Sequence, residues 1–184
     1  MSLFGYDWPR LHAALNDLPA ALLFVTVLFD LGAAITKRNS LRAAALWTLW
    51  AGVLGGWLAV LAGLKASDVI EHGEALHQLM ENHETAALVT MSVFTVVLGY
   101  KLWRQTRVSG AEELGLRVLS VAGFVGIVWT AVLGGKMAFD HAAGVRTATL
   151  QAEALDRAKG HHHHPGEVDE DHDADHDSLP APHP

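Results

Sequence analysis

The chain has 184 residues, is 51% hydrophobic and contains no cysteine, which excludes disulfides, thiolate zinc sites and iron–sulfur clusters. Its formal net charge of −7 arises in residues 161–184, which carry seven acids and no Lys or Arg, so the 13 acids and 13 bases of the remainder balance. That neutral body has no basic face for nucleic acid, which is excluded as a partner.

Four apolar stretches predict membrane-spanning helices. They cover roughly residues 18–35, 43–64, 86–102 and 118–138. Each has about 17–22 residues, enough for a helix to cross a hydrocarbon core of about 30 Å. A soluble four-helix bundle would need a charged face at 3.6-residue spacing, which segments such as AGVLGGWLAVLAGL lack. We therefore predict an all-α bundle of four transmembrane helices, with the first retained rather than cleaved as a signal peptide.

The basic residues between the stretches predict the orientation of the bundle. The connections after the first and third stretches are rich in Lys and Arg, whereas residues 65–84, after the second, have Lys65 as their one basic residue. Short basic loops stay on the cytoplasmic side. We therefore expect a multi-pass protein of the bacterial inner (plasma) membrane, in contact with the lipid bilayer and with both termini on the outer, periplasmic side.

The segment between the second and third stretches predicts a helix on the outer face, over residues 68–82. Asp68 followed by Glu71 is typical of a capping box at a helix start. Gly73 weakens such a helix without forbidding it. The helix either runs straight into the third span or breaks near Asn82.

The chain changes character after the fourth stretch. We predict a transmembrane domain over residues 1–146, a short amphipathic helix over 147–159 and a disordered, His- and Asp-rich tail over 160–184. Mixed imidazoles and carboxylates indicate an antenna for metal ions such as Zn²⁺, Ni²⁺ or Cu²⁺, and the alternative is a solvated acidic tail. The candidate ligands of the tail are His161, His162, His163 and His164.

Five histidines precede the tail, and the predicted topology places them all on the outer side: His12, His72, His77, His83 and His141. On one continuous helix, His72 and His83 fall on the apolar stripe that faces the bundle. His77 falls on a neighbouring stripe with three glutamates, which is typical of a solvated face. Both His72 and His77 are nevertheless candidate metal ligands.

Acids near the outer face extend the set of candidate ligands. Asp17 and Asp140 are costly near hydrocarbon unless they are paired or hydrated, and we expect them close to His12, His83 and His141. These side chains predict either a metal site with N and O ligands or a haem held between two imidazoles. For the haem we expect His83 paired with His141 or His12. An ordinary interfacial role is the alternative for each residue.

Two further features concern helix packing. Asp30 interrupts the first span near its cytoplasmic end, where we expect it to pair with Arg42 or Arg117. Gly52-x-x-x-Gly56 allows helix backbones to approach closely. It predicts tight packing within one bundle rather than a dedicated dimer motif.

Two motifs carry a family resemblance. LHAALNDLPAAL, at residues 11–22, resembles the HPxxVHFPxAL opening of the DUF2231 family of small bacterial membrane proteins, and GGKMAFDHAAGV, at 134–145, resembles its GGxLVYxHGxGV close. His141 falls on the closing histidine. The chain departs from the pattern at Ala13, Asp17 and Ala142, where the family has Pro, His and Gly. The resemblance covers residues 11–146 and implies a four-helix membrane fold with a polar outer-face site, without naming a reaction.

These features predict a membrane protein with a histidine and carboxylate site on the periplasmic face. The site would bind haem b or a transition metal ion (Cu, Zn or Fe), for electron transfer to a redox partner or for metal handling. The alternative is a structural or accessory subunit of a larger membrane complex, without a cofactor of its own. A channel or transporter is less favoured because no span is broken and no midplane charge pair is visible. No nucleophile–base spacing indicates a hydrolytic enzyme.

Overall fold

The computed structural model describes residues 6–104 and 110–160, and five helices account for most of them. They are α1 (Trp8–Thr36), α2 (Asn39–Ser67), α3 (Glu74–Arg104), α4 (Gly110–His141) and α5 (Thr147–Ala158). The first four are long and apolar enough to cross a membrane, and each contains one of the predicted apolar stretches. The predicted all-α fold with four spans is therefore confirmed.

The four long helices pack in cyclic order. α1 lies against α2, α2 against α3, α3 against α4, and α4 returns to α1. The most extensive packing is within the hairpins α1–α2 and α3–α4. This order places α1 diagonally opposite α3, so side chains from these two helices can meet only across the centre of the bundle.

Apolar side chains lie both inside and outside the bundle. Leu49 and Phe94 are fully buried, whereas Trp47 is 72% exposed and Phe139 is 91% exposed. A soluble bundle would turn charged residues outward, whereas a helix that is apolar on all sides belongs in lipid or in a large core. The outward apolar residues of the described helices therefore fit contact with the acyl chains of a bilayer.

Glycines set the closest approaches between helices. A Cβ at Gly52 would lie 2.8 Å from the Leu23 side chain, and one at Gly56 would lie 2.5 Å from Met91. Both contacts are made inside the bundle, Leu23 on α1 and Met91 on α3. The prediction that Gly52-x-x-x-Gly56 packs helices within one bundle is confirmed.

The start of the outer-face helix differs from the prediction. Asp68 caps the end of α2, residues 70–73 are non-helical, and α3 begins at Glu74. The predicted capping box at Asp68 and Glu71 was therefore wrong, because the backbone N–H of Asp68 bonds back to Ala66 as α2 ends. From Glu74 the helix runs unbroken into the third span, as one of the two alternatives predicted.

The two hairpins are related by a constant offset of 71 residues, which the sequence analysis did not detect. Adding 71 carries His12 to His83, and the glycines at 52, 55 and 63 to those at 123, 126 and 134. The contacts repeat as well: a Cβ at Gly52 would meet Leu23, and one at Gly123 would meet Phe94, the equivalent of Leu23. Because α1 and α3 run in the same direction, the hairpins are parallel repeats about an axis along the bundle.

The chain divides into two compact units, Met1–Arg146 and Thr147–Pro184. Within the second, α5 covers Thr147–Ala158 and all of its side chains are exposed. The predicted tail ligands His161, His162, His163 and His164 lie outside the described residues.

Candidate functional site

All five histidines within the described residues lie towards one end of the bundle. We call the end formed by Trp8, Ser67, Glu74 and His141 the histidine end, and the opposite end the basic end. Two of these histidines point into the bundle and the other three lie on its surface.

His12 is anchored to the neighbouring helix of its own hairpin. Its Nδ1 lies 2.8 Å from the carbonyl oxygen of Ala59. A carbonyl only accepts hydrogen bonds, so Nδ1 carries a proton, and in the neutral ring Nε2 keeps its lone pair. Gly63 makes room for the ring, since a Cβ there would lie 3.0 Å from His12 Cε1 and Nδ1.

His83 is held in the same way in the second hairpin. Its Nδ1 lies 3.0 Å from the carbonyl oxygen of Thr130, and a Cβ at Gly134 would lie 3.3 Å from its Cε1. Thr130 and Gly134 are the 71-residue equivalents of Ala59 and Gly63. The two imidazoles therefore occupy the same position in the two repeats, with the same protonated nitrogen.

The two rings meet across the axis of the bundle. Their centroids are 6.3 Å apart and their planes are perpendicular. Because α1 and α3 lie diagonally opposite, the rings approach each other through the interior. Of the two partners that the sequence predicted for His83, the structure brings His12 to it.

A cavity of about 480 Å³ lies beside the two rings, among α1, α2, α3 and α4. Its lining includes His12 and His83, together with the polar side chains of Asp17 and Glu84. The rest is dominated by small and apolar residues of the four helices. Its volume falls within the range of about 300–1,000 Å³ usual for cofactor and small-ligand pockets.

The other predicted ligands lie on the surface. His141 ends α4 and is exposed, as are Asp140 and Asp17, although Asp17 also borders the cavity. His72 precedes α3, so its predicted place on the inward stripe was wrong. Its ring stacks on the exposed ring of His77, with centroids 5.3 Å apart.

His77 lies on the solvated face that its neighbouring glutamates predicted. Its Nε2 is 3.5 Å from Glu81, and both side chains are about half exposed or more. Among residues 6–104 and 110–160, no group of three or more His, Asp or Glu is arranged to hold a metal ion. The inward-facing pair His12 and His83 is thus the best-ordered candidate in this part of the chain.

The basic end carries a second pair of equivalent residues on the same axis. Asp30 lies 2.9 Å from Lys101, which is 71 residues away, and 3.9 Å from Arg117. The predicted pairing with Arg117 is confirmed, and Lys101 was not foreseen. The predicted alternative partner, Arg42, lies instead 3.8 Å from Glu113, again its own equivalent at an offset of 71.

The relation that links these pairs was not predicted from the sequence. The signal was present in the shared spacing of the glycines at 52, 55 and 63 and at 123, 126 and 134. Aligning those two sets places His83 on His12, and Lys101 on Asp30. The offset would therefore have selected His12 over His141 as the partner of His83.

The comparison with protein families supports the resemblance seen in the motifs. The family model "Predicted membrane protein (DUF2231)" matches residues 9–147, which include all four long helices. No curated protein and no solved structure matches the chain.

Proposed function

The chain belongs to the DUF2231 family of predicted membrane proteins, and on that premise we propose that it binds one haem b between His12 and His83 for electron transfer. The observation that carries this proposal is the matched orientation of the two imidazoles. Each donates its Nδ1 proton to a backbone carbonyl of its own hairpin. Histidines that ligate metals are usually fixed by such a bond from their other ring nitrogen.

The separation of the rings supports a shared central ligand. Two N–metal bonds of about 2.0–2.1 Å in line would place imidazole centroids about 6.3 Å apart. The observed separation is 6.3 Å. The Nε2 lone pairs that such bonds need are left free by the Nδ1 hydrogen bonds.

The number of ligands favours haem over a bare ion. Zn²⁺ in a protein usually takes four ligands or three and a water, whereas haem brings four nitrogens of its own and needs one or two axial ligands. His12 and His83 supply two, and no larger ligand group exists among residues 6–104 and 110–160. A bare Cu, Zn or Fe ion would need water or the carboxylates of Asp17 and Glu84, which also border the cavity.

His12 and His83 would be this chain's contribution to such a group. A haem held by these two residues would supply one-electron transfer, at a potential set by burial and by hydrogen bonds to the ligands. The carbonyls of Ala59 and Thr130 hold both rings in one tautomer and make Nε2 more basic. A redox partner protein would then dock at the histidine end.

An absorption spectrum with elemental analysis of the purified full chain tests the proposal. We expect a Soret band and about one iron per chain, both retained after deletion of residues 161–184. The double variant His12→Ala/His83→Ala should lose both, whereas His141→Ala should keep them. A colourless, metal-free protein would remove the cofactor proposal and leave the accessory-subunit alternative. If the full chain contains Zn or Cu and loses it only when residues 161–184 are deleted, those residues bind the metal.

We further propose that the histidine end faces the periplasm of a bacterial inner membrane. Lys37, Arg38 and Arg42 lie at the basic end, with Lys101 and Arg104. Such residues mark the cytoplasmic side. Because the chain lacks cysteine, single-Cys variants report sidedness directly.

The sidedness test uses two exposed positions. A membrane-impermeant maleimide should label Ala75→Cys, at the histidine end, in cells whose outer membrane has been opened. Ser40→Cys, at the basic end, should react only after the inner membrane is lysed. Labelling in the reverse order would place the histidine end in the cytoplasm.

A further inference from the structure

One surface of the second hairpin differs in chemistry from the equivalent surface of the first. A groove of about 480 Å³ lies between α3 and α4, and we call it the α3–α4 groove. Its polar and aromatic lining residues are Asn82, Thr85, Thr90 and Trp129.

The equivalent positions of the first hairpin carry different chemistry. Asn82, Thr85, Thr90 and Trp129 correspond at the 71-residue offset to Leu11, Ala14, Pro19 and Leu58, respectively. Three polar side chains and an indole thus replace purely apolar ones. Thr90 and Trp129 lie within the predicted spans, where a polar group is costly unless it has a partner or a function, so this difference between otherwise matched hairpins calls for one.

The groove opens outward and reaches the interior. Val89 and Trp129 on its walls are 60% and 58% exposed, on a surface that the bundle turns towards lipid. Thr90 at its floor is 6% exposed and also lines the central cavity beside His12 and His83. A Cβ at Gly126 would overlap the Thr90 hydroxyl, so this glycine lets α3 and α4 close beneath the groove. Thr90 therefore borders both the groove and the central cavity.

We propose that the α3–α4 groove binds the head group of a membrane quinone. An occupant that enters from the bilayer must be lipophilic, and hydrocarbon alone would leave the polar side chains without a partner. Asn82 and the two threonines can donate hydrogen bonds to ring carbonyls and accept them from ring hydroxyls. Trp129 offers a flat apolar face on which a planar ring can stack. An isoprenoid quinone combines the planar ring, the two oxygens and the apolar tail.

Binding at the groove requires only the second hairpin, whereas a redox role for the bound quinone rests on the proposed haem. Thr90 belongs to both linings, so the quinone ring would lie next to the cavity that we assign to the haem. The two proposals can therefore be separated by experiment, because the groove and the histidines are altered by different substitutions.

The test is the binding of decylubiquinone to the full chain in nanodiscs of phosphatidylcholine. We expect saturable binding that weakens about tenfold or more in Thr90→Val and in Trp129→Leu, each of which removes one ring contact. Trp129→Leu installs the residue found at the equivalent Leu58. The matched control, Leu58→Ala in the first hairpin, should bind like the wild type.

Further binding measurements distinguish a quinone in the α3–α4 groove from other ligands. Decylubiquinone affinity unchanged in both groove variants would overturn the proposal, as would equal displacement by a phospholipid without a ring. The double variant His12→Ala/His83→Ala should retain quinone binding even without haem. If the chain binds quinone but never shows a Soret band, the groove proposal is supported and the haem proposal is wrong. If the chain shows a Soret band but does not bind quinone, the haem proposal is supported and the groove proposal is wrong.

Discussion

The two ends of the bundle bring together equivalent residues of the two repeats, with different outcomes. At the basic end, Asp30 and Lys101 differ in charge and pair directly at 2.9 Å. At the histidine end, His12 and His83 are identical, and each ring bonds to a carbonyl of its own hairpin. In the first pair, each charge is compensated by the other, and the contact holds the hairpins together. The second leaves two lone pairs beside a cavity, so the same symmetry yields a structural contact at one end and a candidate binding site at the other.

The largest expected effect comes from breaking the basic end. Asp30→Asn leaves the largely buried cation of Lys101 without a carboxylate, and leaves Arg117 with Glu113 alone, 2.8 Å away. Loss of one partner of a buried ion pair costs about 3–5 kcal/mol, so the free energy of unfolding should fall by about that amount. Denaturation of the purified protein in detergent measures it.

The matched control for that variant is Asp68→Asn. The Lys65–Asp68 pair spans 3.6 Å but both side chains are more than 60% exposed, so its loss should cost less than about 1 kcal/mol. Adding Lys101→Met to Asp30→Asn removes one uncompensated cation and should recover part of the loss. Equal stability of Asp30→Asn and the wild type would show that the pair does not hold the hairpins.

The next effect concerns the glycines that seat the two imidazoles. A Cβ at Gly63 would lie 3.0 Å from the His12 ring, so Gly63→Ala must displace it. We expect roughly tenfold weaker haem binding with little change in stability, because the cost of moving the ring opposes the roughly 1 kcal/mol by which alanine favours a helix. Gly134→Ala should act in the same direction but more weakly, since its Cβ would lie 3.3 Å from His83.

The adjacent Gly135 supplies the control for both variants. A Cβ there would meet nothing within 4 Å, so Gly135→Ala should bind haem like the wild type. Titration of haem into the cofactor-free variants measures all three affinities. If Gly135→Ala weakened binding as much as Gly63→Ala, the glycines would not act through the histidines.

A smaller effect is expected at two residues with left-handed backbone, one at each end of the bundle. Lys37 after α1 and Ala142 after α4 both have left-handed backbone, with φ of 58° and 50°. Glycine adopts this conformation without the steric cost of about 1–2 kcal/mol that other residues carry. Ala142→Gly and Lys37→Gly should therefore each stabilise the protein by about 1 kcal/mol in chemical denaturation. A destabilised Ala142→Gly would show that its methyl group makes a contact worth more than the strain.

The smallest effect is expected at the outer pair of the basic end. Arg42 and Glu113 are equivalents at the 71-residue offset, 3.8 Å apart, with side chains 47% and 30% exposed. Exposed pairs contribute about 0–1 kcal/mol and are screened by salt. Arg42→Gln should change the free energy of unfolding by less than about 1 kcal/mol, and the difference should vanish at 1 M NaCl. If the free energy of unfolding fell as much as in Asp30→Asn, the Arg42–Glu113 pair would also hold the two hairpins together.

The sequence predicts the spans better than the site. Long apolar stretches locate four helices because hydrocarbon leaves the backbone few alternatives. The start of α3 at Glu74 was missed because Asp68 and Glu71 fit a helix start as well as the cap and loop that follow α2. The pairing of His12 with His83 depends on which helices lie diagonally opposite. That arrangement follows from packing rather than from any local pattern.

If His12 and His83 are equivalent ligands of one group, haem titration of the two single variants should show it. We predict that His12→Ala and His83→Ala, prepared without cofactor, each lose high-affinity haem binding and the low-spin Soret spectrum. The loss should be similar in the two, whereas His72→Ala and His141→Ala should titrate like the wild type. High affinity retained in either single variant, or lost equally in the surface variants, would show that His12 and His83 are not the two ligands of one haem.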